Sequence, residues 1–88
     1  MSRETILQKI LDAYPDEEFI KMDGYDDCIM GVAEQFNTLV LVYDKSKVIA
    51  KNMKLMECDY DGAVEYFEFN QLGSFLGEKT PIFLTIKF

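Results

Sequence analysis

Histidine is absent from the 88-residue chain, and cysteine is scarce, with Cys28 and Cys58 as its two thiols. The lack of histidine excludes histidine-assisted nucleophiles and removes a common zinc ligand. The two cysteines lie far apart and form no CxxC pair, which is typical of reduced thiols in a cytosolic protein. We therefore expect no metal site and no cofactor.

Long apolar runs are missing as well. No stretch approaches the ~20 residues that a membrane span needs, and the N-terminus shows no charged-then-apolar signal, so nothing indicates export or a membrane partner. Hydrophobic residues nevertheless make up 49% of the chain, too much for a disordered protein even at a net charge of -7. We expect one folded domain over residues 1–88, small enough for self-association to add stability.

The last third of the chain holds the longest helical pattern, from Asp59 to Leu76. Asp59 is suited to cap this helix, because its carboxylate can accept a hydrogen bond from a free amide of the first turn. The apolar face of the first half consists of Tyr60, Ala63, Val64, Tyr66 and Phe67. Phe69, Leu72 and Leu76 instead fall on the side that is acidic one turn earlier. We expect a kink or restart near Asn70–Gly73, or a different partner for the second half.

Asn70 lies on the apolar arc of the first half, and two interpretations of it stay open. Its amide either bonds backbone groups freed at the break or contacts a small ligand in a polar pocket with Tyr66 and Thr80. Beyond it, Gly77 suits a left-handed helix stop, and Pro81 favours an extended Thr80. In the terminal strand the apolar side, which we expect to be buried, consists of Ile82, Leu84, Ile86 and Phe88.

The run EYFEFNQLGSFLGEKTPIF, together with the DGYDD segment and the LVYD that follows a short hairpin, resembles a family of small proteins of tailed bacteriophages and prophages. The resemblance covers Ser2 to Phe83, and its most specific part is the glycine, threonine and proline spacing of Gly73–Pro81. The chain departs from the pattern at Phe83–Phe88. The resemblance implies a phage origin and a bacterial cytoplasm, and it implies no activity and no functional residue.

The first half of the chain predicts a short helix and a hairpin. Ser2 can cap a helix whose apolar residues recur from Ile6 to Tyr14, and Pro15 ends it. Strands over Cys28–Ala33 and Thr38–Tyr43 enclose a turn at Gln35–Asn37, and the apolar run Leu39–Val42 indicates burial on both faces. Phe36, at the tip of the hairpin, either folds back onto the core or projects as an anchor for a partner.

A second helix is predicted from its cap at Asp44 to about Met56. Its inner face consists of Val48, Ile49, Met53 and Met56, and its outer face carries Lys47, Lys51 and Lys54. A lysine stripe of this kind usually lies in solvent. It is a weak signal for nucleic acid, because the net charge of -7 opposes phosphate binding, so we expect no direct nucleic-acid partner. A better role is complementarity with the acidic segment of another copy.

Acidic residues are concentrated between Asp12 and Glu34, a segment whose only cation is Lys21. Such a run usually faces water. Alternatively, Asp23, Asp26 and Asp27 belong to a surface that meets a basic partner, as a mimic of nucleic acid would. A cation site at DGYDD is disfavoured, because the spacing lacks the alternating ligands and the distal glutamate of a calcium loop.

The other residues that could carry chemistry do not form a reactive arrangement. The GEKT sequence at residues 77–80 is similar to the end of a phosphate-binding loop, but Glu78 separates glycine from lysine, and a strand follows instead of a helix. Glu65 and Glu68 lie on an exposed helix face, which is not the environment of a catalytic acid–base pair. We therefore predict that the chain is not an enzyme.

These patterns together predict an α+β domain: an N-terminal helix, an antiparallel hairpin, two helices and a C-terminal strand that joins a small antiparallel sheet of about three strands, covered on one face by helices. We expect a homodimer through Phe69, Leu72, Phe75 and Leu76. Three functions stay open: an accessory protein that binds an unknown host or defence protein, an acidic nucleic-acid mimic, and a dimer that sequesters a small nucleotide.

Overall fold

The computed structural model describes residues 5–73 and 77–86. The helices are α1 (Ile6–Ala13), α2 (Lys45–Met56) and α3 (Tyr60–Tyr66), and α3 continues directly into a π-helix over Phe67–Leu72. The strands are β1 (Ile29–Gln35), β2 (Thr38–Asp44) and β3 (Ile82–Leu84), and a short 3-10 turn, Asp26–Cys28, precedes β1. Side chains of all three helices share one core with Leu41 and Tyr43 of β2, so the helices cover one face of the sheet. The predicted α+β class is confirmed.

The sheet has the order β1-β2-β3, and it is mixed. Strands β1 and β2 pair antiparallel, whereas β2 and β3 pair parallel, with Val42 opposite Ile82 and Asp44 opposite Leu84. The prediction of an antiparallel sheet was therefore wrong for β3. The connection from β2 to β3 runs through α2 and α3, which lie over the sheet. Such a helical crossover brings the chain back to the same end of the sheet, so β3 runs parallel to β2.

The hairpin turn is tighter than predicted. Gln35 still pairs with Thr38, so two residues, Phe36 and Asn37, form the turn with φ of 52° and 62°. Two positive φ values are the signature of the type I′ turn, whose twist matches that of the flanking strands. At the other end of the hairpin, Cys28 was expected to begin the strand, but it belongs to the 3-10 turn that precedes β1.

Side-chain caps define where the helices begin. The carboxylate of Asp44 accepts hydrogen bonds from the amides of Ser46 and Lys47, and that of Asp59 accepts one from Gly62, as predicted. For α1 the cap is Thr5, whose hydroxyl accepts a hydrogen bond from the amide of Gln8. The predicted cap, Ser2, lies outside the described residues.

The π-helix explains the turnover of the apolar pattern after Phe67. The predicted irregularity near Asn70–Gly73 begins earlier, because the hydrogen-bonding pattern widens at Phe67 itself. A π-helix holds more residues in each turn, so the side chains that follow are rotated relative to those of α3. At its end, a Cβ on Gly73 would lie 3.1 Å from the carbonyl oxygen of Glu68, which accounts for glycine at that position.

The core is built around aromatic rings. Tyr43 and Phe67 are fully buried, and the ring of Phe83 packs against both, with centroid distances of 5.7 and 4.9 Å. The predicted inward side of the terminal strand was therefore wrong, since Ile82, Leu84 and Ile86 are 44%, 45% and 55% exposed. Phenylalanine has more apolar area to bury than isoleucine or leucine, so the strand places Phe83 inward. Val40, Leu41 and Val42 are all buried, as the apolar run predicted.

Candidate interaction surfaces

A buried polar cluster fixes the segment between α1 and β1 against the helices. Asn52 of α2 is fully buried, and its Oδ1 accepts a 2.6 Å hydrogen bond from the hydroxyl of Tyr25. Its Nδ2 donates to Oε1 of Gln71 at 2.9 Å and to the carbonyl of Ala63 at 3.4 Å. Asn52 thus joins α2, α3, the π-helix and the preceding loop. Sequence reasoning missed it, although its position three residues after Ile49 and four after Val48 on the buried helix face was a usable signal.

The acidic segment is partly neutralised within its own chain. Asp26 pairs with Lys21 at 3.1 Å, and Asp27 pairs with Lys51 at 2.6 Å. The hydrogen bond from Lys51 holds the pKa of Asp27 below its usual value and raises the pKa of Lys51 above its own. Lys51 of the lysine stripe therefore pairs with the acidic segment of its own chain, and complementarity between two copies stays a prediction.

The acidic residues gather at no cation site. Asp23 is exposed, and among residues 5–73 and 77–86 no group of three or more acidic or thiol side chains is arranged to hold a metal ion. Asp26 and Asp27 lie at the start of β1, at the opposite end of the hairpin from Phe36. The candidate residues of the acidic segment and the hairpin tip therefore do not form one continuous surface.

The predicted polar pocket is divided between two grooves. Asn70 and Thr80 line a groove of about 220 Å³, together with Lys21 and Gln71. Tyr66 lies in a separate groove of about 290 Å³, which it shares with Asn70 and Phe69. Asn70 lies between the two grooves, and its side-chain amide donates to the carbonyl of Tyr66 at 3.3 Å. The interpretation that Asn70 bonds backbone groups at the irregular turn is confirmed.

The first apolar surface is the π-helix patch, which we define as Met56, Tyr66, Phe69 and Leu72. Phe69 is 77% exposed and Leu72 54% exposed, so neither side chain is covered by the monomer. Glu65 lines the same groove as Phe69, and Glu68 is exposed beside it. Phe75 and Leu76, the other predicted members of this surface, lie outside the described residues.

The second apolar surface is the β3 stripe, which we define as Ile82, Leu84 and Ile86. These side chains alternate along the strand and its continuation, on the side opposite to Phe83. A third exposed position is Phe36 at the tip of the hairpin. Its ring is 90% exposed, so it projects from the turn and does not fold back onto the core.

The cysteines give no reactive centre. Cys28 is buried, and burial raises the pKa of its thiol to about 11, so the nucleophilic thiolate is scarce at neutral pH. Its sulfur donates a weak hydrogen bond to Asp27, a carboxylate that further disfavours ionisation. Cys58 is half-buried, and its sulfur donates to the carbonyl of Asn52 at 3.9 Å. Both thiols are therefore occupied with structural contacts.

Comparison of the chain with protein-family models, with curated proteins and with solved structures gave no match. The part of the chain that the structure describes contains no helix long and apolar enough to cross a membrane. The features of this chain that bear on its function are therefore its exposed apolar surfaces and the charges around them.

Proposed function

We propose that this chain is a protein-binding module without catalysis of its own, and that the π-helix patch is its working surface. The observation that carries the proposal is Phe69, whose side chain is 77% exposed on the π-helix. Exposed aromatic rings on ordered elements are typical anchors of protein interfaces, because they bury a large apolar area at a small cost in side-chain entropy.

Charge defines the kind of partner that would fit. Glu65 and Glu68 flank Phe69, so a complementary surface has an apolar pocket with basic side chains around it. A nucleic acid is disfavoured, because phosphates would meet these carboxylates in a chain of net charge -7. That the partner is a host or defence protein of a phage-infected bacterium stays a prediction from the resemblance.

The other two functions have less support. A nucleic-acid mimic needs free carboxylates, and three in the acidic segment are in ion pairs with lysines: Glu17 with Lys79, Asp26 with Lys21 and Asp27 with Lys51. Sequestration of a nucleotide needs a pocket of about 300 Å³ or more. The groove lined by Tyr66 and Asn70 has a volume of about 290 Å³, and Glu65 in its lining would repel a phosphate.

The proposal can be tested by affinity capture from bacterial lysate with wild-type protein and two matched variants. Phe69→Ser removes the anchor from the π-helix patch, and Phe36→Ser removes an equally exposed ring from the hairpin tip as the control. We expect a captured protein that is lost with Phe69→Ser and kept with Phe36→Ser. Binding through an apolar interface should also persist in high salt, whereas mimicry of nucleic acid predicts release.

A different outcome would point elsewhere. Capture that is unchanged by Phe69→Ser would exclude the π-helix patch as the binding surface. Capture that disappears with added salt and with Asp23→Asn would favour the acidic segment. Turnover of a metabolite by the purified chain would contradict the proposal as a whole.

A further inference from the structure

Strand β3 forms an edge of the sheet, and apart from its short length and the preceding Pro81 that edge lacks the usual protection against pairing. Exposed edges of natural sheets carry charges, bulges or a covering element, because unpaired backbone groups bind other strands. The other edge, β1, has such features: a bulge between Ile29 and Gly31, the charged Glu34, and packing against α1. The segment from Thr80 to Ile86 has no charged residue. Pro81 is its single residue without a backbone donor.

The charges around the two apolar surfaces indicate which surface suits a foreign partner and which suits a second copy of the chain. In a two-fold dimer each residue near the axis meets its own counterpart, so charges of one sign near the axis repel. The π-helix patch is flanked by Glu65 and Glu68, which disfavours contact with itself. The β3 stripe is neutral in a chain of net charge -7, and therefore it is the apolar surface that suits self-association.

We propose that two copies of this chain pair through β3, antiparallel, about a two-fold axis at Leu84. Leu84 then lies opposite its counterpart, and Ile82 of each copy lies opposite Ile86 of the other. Because side chains alternate with period 2, all six members of the two stripes fall on one face. The two three-stranded sheets become one sheet of six strands, and Ile86, which extends past the end of β2, gains a neighbour. This contact is independent of the π-helix patch.

The charges at the two ends of the stripe do not oppose pairing. Glu78 and Lys79 are neighbours at the start of β3, and Asp44 and Lys45 are neighbours beside its end, where Asp44 lies opposite Leu84. Each end therefore carries one charge of each sign, so neither end repels the end that it meets in the other copy. The remaining charge of the two copies repels at long range, so added salt should strengthen the dimer.

The register is tested by disulfide trapping. Residues directly opposite each other in an antiparallel pair have Cα atoms about 4.5 to 5.5 Å apart, within the range that a disulfide spans. In a Cys58→Ser background, Leu84→Cys treated with oxidised glutathione should form a covalent dimer, with two thiols oxidised and the glutathione disulfide reduced. Leu72→Cys, an exposed cysteine on the π-helix, is the control and should stay monomeric on a non-reducing gel.

The contact itself is tested by sedimentation at protein concentrations up to about 100 μM, where an interface of micromolar Kd is largely occupied. We expect a wild-type dimer, a monomer for Leu84→Lys and for Ile86→Lys, and a dimer for the control Leu72→Lys. Circular dichroism shows whether Leu84→Lys still folds. If it does not, Ile86→Lys tests the dimer contact instead, because Ile86 lies beyond the residues of β3 that pair with β2. A monomeric wild type would overturn the proposal, as would a dimer that survives Ile86→Lys or is lost in Leu72→Lys.

Discussion

Replacing Asn52 by alanine tests how strongly the buried polar cluster stabilises the fold. The substitution removes the acceptor of the Tyr25 hydroxyl and the donor to Gln71 and to the carbonyl of Ala63. Ala63 keeps a partner, because its carbonyl still accepts from the amide of Phe67. Tyr25 and Gln71 are only half-buried, so both polar groups can turn toward water.

The expected cost follows from these contacts. The loss of each hydrogen bond lowers the free energy of unfolding by about 0.5–1.5 kcal/mol. A polar group that loses its partner lowers it further, and most where water cannot replace the partner. With two of the three partners able to be hydrated and a small cavity left in the core, we expect Asn52→Ala to lower the free energy of unfolding by about 2–3 kcal/mol. A domain of this size has a total stability of roughly 4–13 kcal/mol, so the variant should fold with a visibly lower midpoint.

Urea unfolding followed by circular dichroism measures the effect. With a slope near 1 kcal/mol per molar, the midpoint should fall by about 2–3 M. Gln8→Ala, which loses one exposed hydrogen bond to Asp12, is the control and should stay within about 0.5 kcal/mol of wild type.

A double-mutant cycle with Tyr25→Phe then isolates one bond. Tyr25→Phe should cost about 1–2 kcal/mol in the wild type, because it leaves Oδ1 of Asn52 buried without a donor, and much less in Asn52→Ala. The reasoning is refuted if Asn52→Ala costs under about 0.5 kcal/mol, or if the two substitutions are fully additive.

Three further predictions concern single residues. At pH 8 a thiol with a pKa of about 11 is ionised to roughly one part in a thousand. In Cys58→Ser protein, Cys28 should therefore react with iodoacetamide at least about 100-fold more slowly in the folded state than after unfolding. Equal rates in the two states would contradict the burial of Cys28. The lowered pKa of Asp27 means that its contribution to stability is present above its usual value of 3.8 and is lost as the pH falls through the folded value. Asp27→Asn should therefore lower stability at neutral pH and leave it unchanged near pH 2, as unfolding midpoints would show. Phe36 has a φ of 52°, a value that asparagine tolerates better, so Phe36→Asn should raise stability by about 0.5–1 kcal/mol and increase Tm; a lower Tm would show that its ring contributes contacts in the folded state.

Local signals in the sequence predicted the starts of α2 and α3 and the presence of the hairpin. Asp44 and Asp59 are short acidic side chains placed directly before amphipathic runs, and both cap helices through their own first turns. Such contacts depend on residues two or three positions away, so a single sequence contains the information. Gly77 has the positive φ, 103°, that favours glycine, but the prediction that it stops the helix was wrong, because the helical segment already ends at Leu72 with Gly73 as its cap.

The direction of β3 and the side that it buries could not be predicted from local signals in the sequence. Its direction depends on how the crossover through α2, α3 and the 77–81 loop lies over the sheet, which is a tertiary property. The inward side of β3 was misjudged because four apolar residues, Ile82, Leu84, Ile86 and Phe88, outnumber Phe83 in the alternating pattern. The position of Phe83 between Tyr43 and Phe67 depends on rings that belong to distant parts of the chain.

The candidate surfaces were predicted in part. Exposure of Phe69 and Leu72 follows from the turnover of the helical pattern, and the structure confirms it. The pairing of Asp27 with Lys51 joins a loop to a helix, so no spacing rule predicts it. The π-helix was also beyond reach, since a widened turn has no distinctive composition and here coincides with the buried contact between Asn52 and Gln71.

The parallel pair β2–β3 has a consequence for how the chain folds. The hairpin and α2 are built from contacts between neighbours in the sequence and can form early, whereas Val42 meets Ile82 only after the whole crossover is in place. Until then the backbone N–H and C=O groups on one edge of β2 are unpaired in refolding molecules, and they can pair with strands of other molecules. Rapid dilution from denaturant at high protein concentration should for that reason give more aggregate than slow dilution, and substitutions in β3 should accelerate unfolding more than they slow refolding.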